Sequence, residues 1–313
     1  MQIGVAAMGG DTRSVLERIL ELERRGIPAA WLTTGGGGLD ALTLFAAAGA
    51  QTKTISLGTS IVPTWPRHPV VTAQQVQVIA GLAPGRFRLG LGPSHKPTME
   101  DAFGYEFGAP LTNLREYIHV VRTLLQDGSV DFDGRFYHAH VRIPQPVTDV
   151  PIMASALRRA SFELCGAETD GAISWVCPYA YLRDVALPAM KEGAEKAGRP
   201  APPLIAHAPV CVHNDRDEVR AAARQQLSNY PKLPFYARMF AEAGYPEAEE
   251  SSTWSDAMLD AVVISGDEKE VAASIRDLFS WGVGEVVAHV LPIGQDRKAS
   301  WERTVNVLTE LSA

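Results

Sequence analysis

Short apolar runs alternate along the chain with longer stretches whose apolar residues recur every three or four positions. A compact apolar run bounded by glycine, proline or polar residues reads as a buried strand. The three-to-four spacing reads as an amphipathic helix. Ile3 to Ala7 predicts a first strand. Asp11 then caps a helix to Arg25, with Val15, Leu16, Ile19, Leu20 and Leu22 at helical spacing, and Gly26 ends it. Ala29 to Thr33, Ile55 to Val62 and Phe87 to Leu91 predict strands two, three and four, separated by helices over Leu39 to Gly49 and Val70 to Ile79. A helix over Leu111 to Gln126 follows, and Val130 to Tyr137 reads as a hairpin turning at Asp133-Gly134. Strands five to eight fall at Pro151 to Ala154, Ala172 to Val176, Leu204 to Val212 and Glu285 to Val290, and a last helix covers Ala299 to Leu311.

Eight strand–helix units in 313 residues predict an α/β fold, a (β/α)8 TIM barrel forming one domain over residues 1–313. The rhythm breaks twice, which predicts insertions after strand four and after strand seven. The second spans about Tyr230 to Asp260 and is rich in aromatics: Tyr230, Phe235, Tyr236 and Phe240, with Met239 beside them. A doubly wound sheet is the rival architecture. It has fewer strands and needs a glycine-rich first turn, which Met8-Gly9-Gly10 is too short to supply. In a barrel the chemistry sits at the C-terminal ends of the strands, so those ends hold the candidate residues.

Composition narrows the partners. The chain is 46% hydrophobic with a net charge of -7 and no basic tract, which argues against nucleic acid and for a small-molecule substrate. Cys165, Cys177 and Cys211 are far apart and form no zinc or disulfide pattern, so a reduced, cytoplasmic setting is expected and no metal. Met1 to Ala7 lacks a basic leader and reads as a strand, and no apolar run approaches a membrane span.

The stretch Gly85-Arg86-Phe87-Arg88-Leu89-Gly90-Leu91-Gly92-Pro93-Ser94-His95 carries the most chemistry. Phe87, Leu89 and Leu91 alternate with Arg88, Gly90 and Gly92, the period of a strand, and Pro93 breaks it just before the polar pair Ser94 and His95. Its Gly-x-Gly is not a dinucleotide fingerprint, because His95 stands where the third glycine belongs and Pro93 and Pro97 disfavour a helix start.

Together with Gly58-Thr59-Ser60-Ile61 and Ser265-Gly266-Asp267, this stretch resembles the bacterial luciferase-like family of flavin and deazaflavin oxidoreductases. Within it the chain looks closest to the branch using coenzyme F-420, an 8-hydroxy-5-deazaflavin. The resemblance implies a non-proline cis peptide at Ser60-Ile61 behind the cofactor ring, with Gly92, Ser94 and His95 beside it. It implies a phosphate cradle at Ala154, Ser155, Ala156, Leu157 and Arg158, where Ala156 replaces the usual glycine and Arg158 or Arg159 adds charge. His95 is the catalytic candidate, because an imidazole near the reacting centre can hold a proton at neutral pH.

Strand two departs from the family's alcohol dehydrogenases. It ends in Thr33-Thr34 and four glycines, Gly35 to Gly38, where they place an Asp-His pair. Hydride transfer to a C=C or C=N bond is therefore expected in preference to alcohol oxidation. Trp65 and Trp175 wall an apolar substrate pocket or pack in the core, and His213 and His289 sit near strand ends that face the pocket. Two other readings stand beside this one: a monooxygenase using reduced FMN, and a cofactor-binding barrel without turnover. The family resemblance also implies a homodimer.

Overall fold

The computed structural model describes residues 1–313. Eight parallel strands close on themselves: β1 (Ile3–Ala6), β2 (Ala29–Leu32), β3 (Ser56–Thr59), β4 (Phe87–Gly92), β5 (Ile152–Ser155), β6 (Ala172–Trp175), β7 (Leu204–Val212) and β8 (Glu285–Val290). Each pairs with its sequence neighbours, and β8 pairs with β1 through Ile3↔Val286, which closes the (β/α)8 barrel. Helices lie outside the strands, and no helix is long and apolar enough to cross a membrane.

The two-residue period of β4 decides which side chains enter the barrel. Phe87, Leu89 and Leu91 join the main core, and the Phe87 ring meets Phe45 of helix Ala41–Gly49 at 6.1 Å. Arg88 faces inward and donates from Nη2 to Glu285 Oε1 of β8 at 3.1 Å. The same oxygen accepts the Trp31 indole N–H at 2.9 Å, and the guanidinium lies 4.4 Å from the Trp31 ring centre. Above them Ala29, Trp31, Met153, Ile173, Ile205 and Val287 fill the barrel as a separate apolar cluster. The barrel is therefore solid on its N-terminal side.

Three boundaries differ from the sequence reading. Strand three stops at Thr59, and Val62–Pro63 then pairs with Leu91 and Gly92. The hairpin's second strand is His138–Arg142, beyond the expected Tyr137. The Glu116 carboxylate accepts the N–H groups of Arg135, Phe136 and Tyr137 at 3.0, 2.8 and 3.3 Å, which keeps them out of the ladder. The helix after strand five, which the sequence pattern predicts over Leu157 to Ala167, starts at Arg159, because Ser161 Oγ caps it by accepting from Leu157 N and Arg158 N, both at 3.1 Å. Between β7 and β8 the chain forms helices Arg216–Gln226, Pro234–Glu242, Glu247–Ser251, Asp256–Asp260 and Glu268–Ser280.

Candidate active site

A cavity of about 870 Å³ opens over the C-terminal ends of the strands. One wall is the turn after β3. Its Ser60-Ile61 peptide is cis. Ser60 N donates to Leu32 O at 2.7 Å, Thr33 Oγ1 to Ser60 O at 2.6 Å, and Thr34 N to Ile61 O at 3.0 Å, so β2 holds this turn in place. The Ile61 side chain is left against the cavity as an apolar shelf. Gly92 stands behind it: a side chain there would strike Ser155 Oγ and come 3.0 Å from Ile61.

A second wall is the loop from β5 into helix Arg159–Glu168. Ser155, Ala156, Leu157 and Arg158 all line the cavity. The Arg158 guanidinium is held by Glu242, its Nε donating to Oε1 at 3.0 Å, and the Tyr181 hydroxyl donates to the other Glu242 oxygen at 3.3 Å. Arg159 is paired with Glu192. This wall combines a helix start with arginines whose present partners are carboxylates.

The third wall is aromatic. Ser94 adopts φ of 61°, in the left-handed region that most side chains avoid, and the turn sets His95 against the cavity. The His95 ring meets Tyr230 and Tyr236 edge-on, with centroids 6.0 and 5.9 Å away. Burial pushes its pKa below the usual histidine value, so the ring is neutral at pH 7. The Trp175 ring lies tilted against His207 with centroids 4.4 Å apart and meets His289 edge-on at 5.3 Å. His289 is pushed down to about 4 by burial, and His207 lies well below the usual value for the same reason, with the neighbouring His289 adding to it.

Ser60, Ile61, Ser94, His95, Ser155, Ala156, Leu157, Arg158 and Trp175 thus meet at one cavity. Four expectations need correction. Gly92 and Ala154 support the walls from behind; Ala154 is fully buried in the outer core. Trp65 packs among Phe107 and Phe136 at 5.3 and 5.4 Å instead of facing the cavity. His213 lies past the end of β7, bridging to Gly266 and meeting Glu218 at 2.7 Å, and is not part of the cavity lining. His207 escaped the sequence reading. It sits inside the nine-residue run of β7, buried along its whole length, so no alternation marks its inward side.

The family model of luciferase-like monooxygenases matches residues 2–285. The chain belongs to this family. Among luciferase-like relatives, it is 28% identical to a coenzyme F-420-dependent glucose-6-phosphate dehydrogenase of Mycobacterium avium, over 88% of each chain. It is 27% identical to a 5,10-methylenetetrahydromethanopterin reductase of Methanolobus tindarius, over 88% of this chain and 89% of that one. A solved F-420-dependent secondary alcohol dehydrogenase superposes with a TM-score of 0.82 at 18% identity, covering 99% of this chain and 97% of that one, which shows a shared fold.

Proposed function

We propose that this chain is an oxidoreductase that uses coenzyme F-420 to move a hydride between the cofactor and a small organic molecule, in the sense that reduces a C=C or C=N bond. The observation that carries the reading is the meeting of the Ile61 shelf, the Arg158 helix start and a buried neutral His95 around one cavity. A flat tricyclic ring with an anionic tail needs an apolar shelf, depth and a cationic end. Ile61, about 870 Å³ of space and Arg158 fit those needs. When bound, the deazaflavin supplies the hydride.

The chain's own residues do the rest. Ile61 backs the ring and fixes which face is open. Arg158 exchanges Glu242 for the anionic tail. The packed barrel below excludes water from one side. His95 holds the proton that must reach the substrate atom next to the one receiving hydride. The cavity edge at Thr33, Thr34 and Gly35 brings no carboxylate or imidazole, which supports reduction over alcohol oxidation.

A binding titration of the apo protein with oxidised F-420 and with FMN, read by fluorescence, tests the reading. Tight F-420 and weak FMN binding is expected. The reverse preference would replace it by an FMN-dependent monooxygenase, and binding of neither would overturn both. The proposal includes a homodimer covering Val71, Val78 and Leu82, which are 44, 57 and 41% exposed on the helix after β3. Sedimentation velocity checks it, and a monomer at micromolar concentration would remove it.

A further inference from the structure

The cavity walls differ in charge. The β5 side carries Arg158, Arg159, Glu163 and Glu242, each in an ion pair. The side built from β6, β7 and β8 carries Trp175, His207 and His289, with Tyr230 and Tyr236 of the segment after β7 against them, and no lysine, arginine or carboxylate; the one carboxylate that segment gives the lining, Glu242, is paired with Arg158 of the opposite wall. Two imidazoles lie there with centroids 6.2 Å apart. His207 is 6% exposed, and its Nε2 has no hydrogen-bond partner. A buried polar atom without a partner costs stability and so points to a group that completes it. His289 Nε2 already meets the Gln226 amide nitrogen at 2.6 Å; with the amide donating, the His289 proton sits on Nδ1.

We propose that His207, flanked by Trp175 and His289, is a specificity residue that recognises an uncharged, planar, carbonyl-type group of the substrate. Trp175, Tyr230 and Tyr236 offer faces and edges for a flat ring, and a neutral imidazole offers one donor and one acceptor. A carboxylate or phosphate would enter this wall with no cation to meet it, and an ammonium with no anion. Either ion loses its water without compensation, which is the strongest discrimination a buried polar site can exert. The ligand is named a substrate on the strength of the oxidoreductase reading, but the recognition itself does not depend on it.

Acetophenone, benzoate and benzamidinium share one ring and differ in charge. Each is titrated calorimetrically into the full chain, alone and with F-420 added. Acetophenone is expected to bind about tenfold or more tightly than either ion. His207→Phe should abolish that preference and His207→Gln should keep it, while F-420 affinity holds in both. Equal binding of the three probes to the unaltered chain, a result that needs no variant, would overturn the inference. An undiminished preference in a folded His207→Phe would do the same. Loss of F-420 binding with probe selectivity intact would sink the oxidoreductase reading and leave this inference standing.

Discussion

Trp31 and Gly58 are register partners across β2 and β3, and the indole occupies the space a Gly58 side chain would fill. A Cβ on Gly58 would stand 2.6 Å from the Trp31 ring, and one on Gly4 2.5 Å from it. Both glycines exist to admit this one ring. Gly58→Ala is expected to overpack the barrel and cost about 1–3 kcal/mol. Gly81 is the control: it lies in a helix with nothing within 4 Å of its Cβ position, so alanine there should be neutral or add about 0.5–1 kcal/mol. Urea unfolding of both variants checks the contrast.

The Arg88–Glu285 pair lies in the same interior, with Glu285 buried. Glu285→Gln leaves the guanidinium without its counter-ion and is expected to lose about 3–5 kcal/mol. Replacing both residues, Arg88→Met with Glu285→Leu, should recover most of that loss, since the pair's desolvation is then removed as well. The double variant's unfolding midpoint decides: a loss as large as the single variant's would contradict this account.

His95 is neutral at pH 7 because burial depresses its pKa. For reduction it must carry a proton, and the protonated form is populated only below that lowered value. The kcat/KM for reduction should therefore rise as pH falls below 7 and keep rising below pH 6.5, levelling off only once pH is below the lowered value. His95→Gln should abolish this rise and slow turnover about 10²–10⁴-fold, leaving F-420 affinity unchanged. A flat pH profile in the unaltered enzyme would remove the proton-holding role.

Stability should move the opposite way. Burial lowers His289 to about 4, whereas an imidazole in the unfolded chain titrates near 6.5. Below pH 6.5 the unfolded chain binds a proton that the folded chain refuses. The stability contribution is complete above that pH and is lost as pH falls toward 4, on the order of 3 kcal/mol for this residue. His207 and His95, also lowered, add in the same direction. Between pH 7 and pH 5, His289→Gln should lose about 2 kcal/mol less than the unaltered chain in denaturant titrations.

At the charged wall, Glu242 competes with any anion for Arg158. Arg158→Ala should weaken F-420 binding about tenfold, and Glu242→Gln should strengthen it. Fluorescence titration at two salt concentrations reads both. A tighter complex in Arg158→Ala would place the anionic tail elsewhere.

The barrel was legible because its strands are short, apolar and regularly spaced, and β4 displayed its two-residue period openly. Ser60, Ile61, His95 and the Arg158 loop follow strand ends, a placement that element order supplies, while the shelf at Ser60-Ile61 and the cofactor-phosphate cradle at the Arg158 loop came from the family resemblance. Trp65 and His213 also follow strand ends. Their side chains were drawn elsewhere, Trp65 by Phe107 and Phe136 across more than forty residues of chain and His213 by Glu218 in the first turn of the next helix. His207 and Glu285 were hidden for the reverse reason. Their partners, Trp175 and Arg88, lie 32 and 197 residues away in the chain, and only barrel closure brings them together.

The plug of Trp31, Arg88 and Glu285 closes the cavity from below, so molecules come and go on its C-terminal side. Whatever lies deepest must enter first and leave last, and nothing can drain through the barrel floor. An ordered sequence is the expected outcome: the deeper molecule binds first, the shallower one follows, and release runs in reverse. Initial-rate patterns would show the shallower ligand's product competing with it, and the deeper ligand trapped while its partner is in excess.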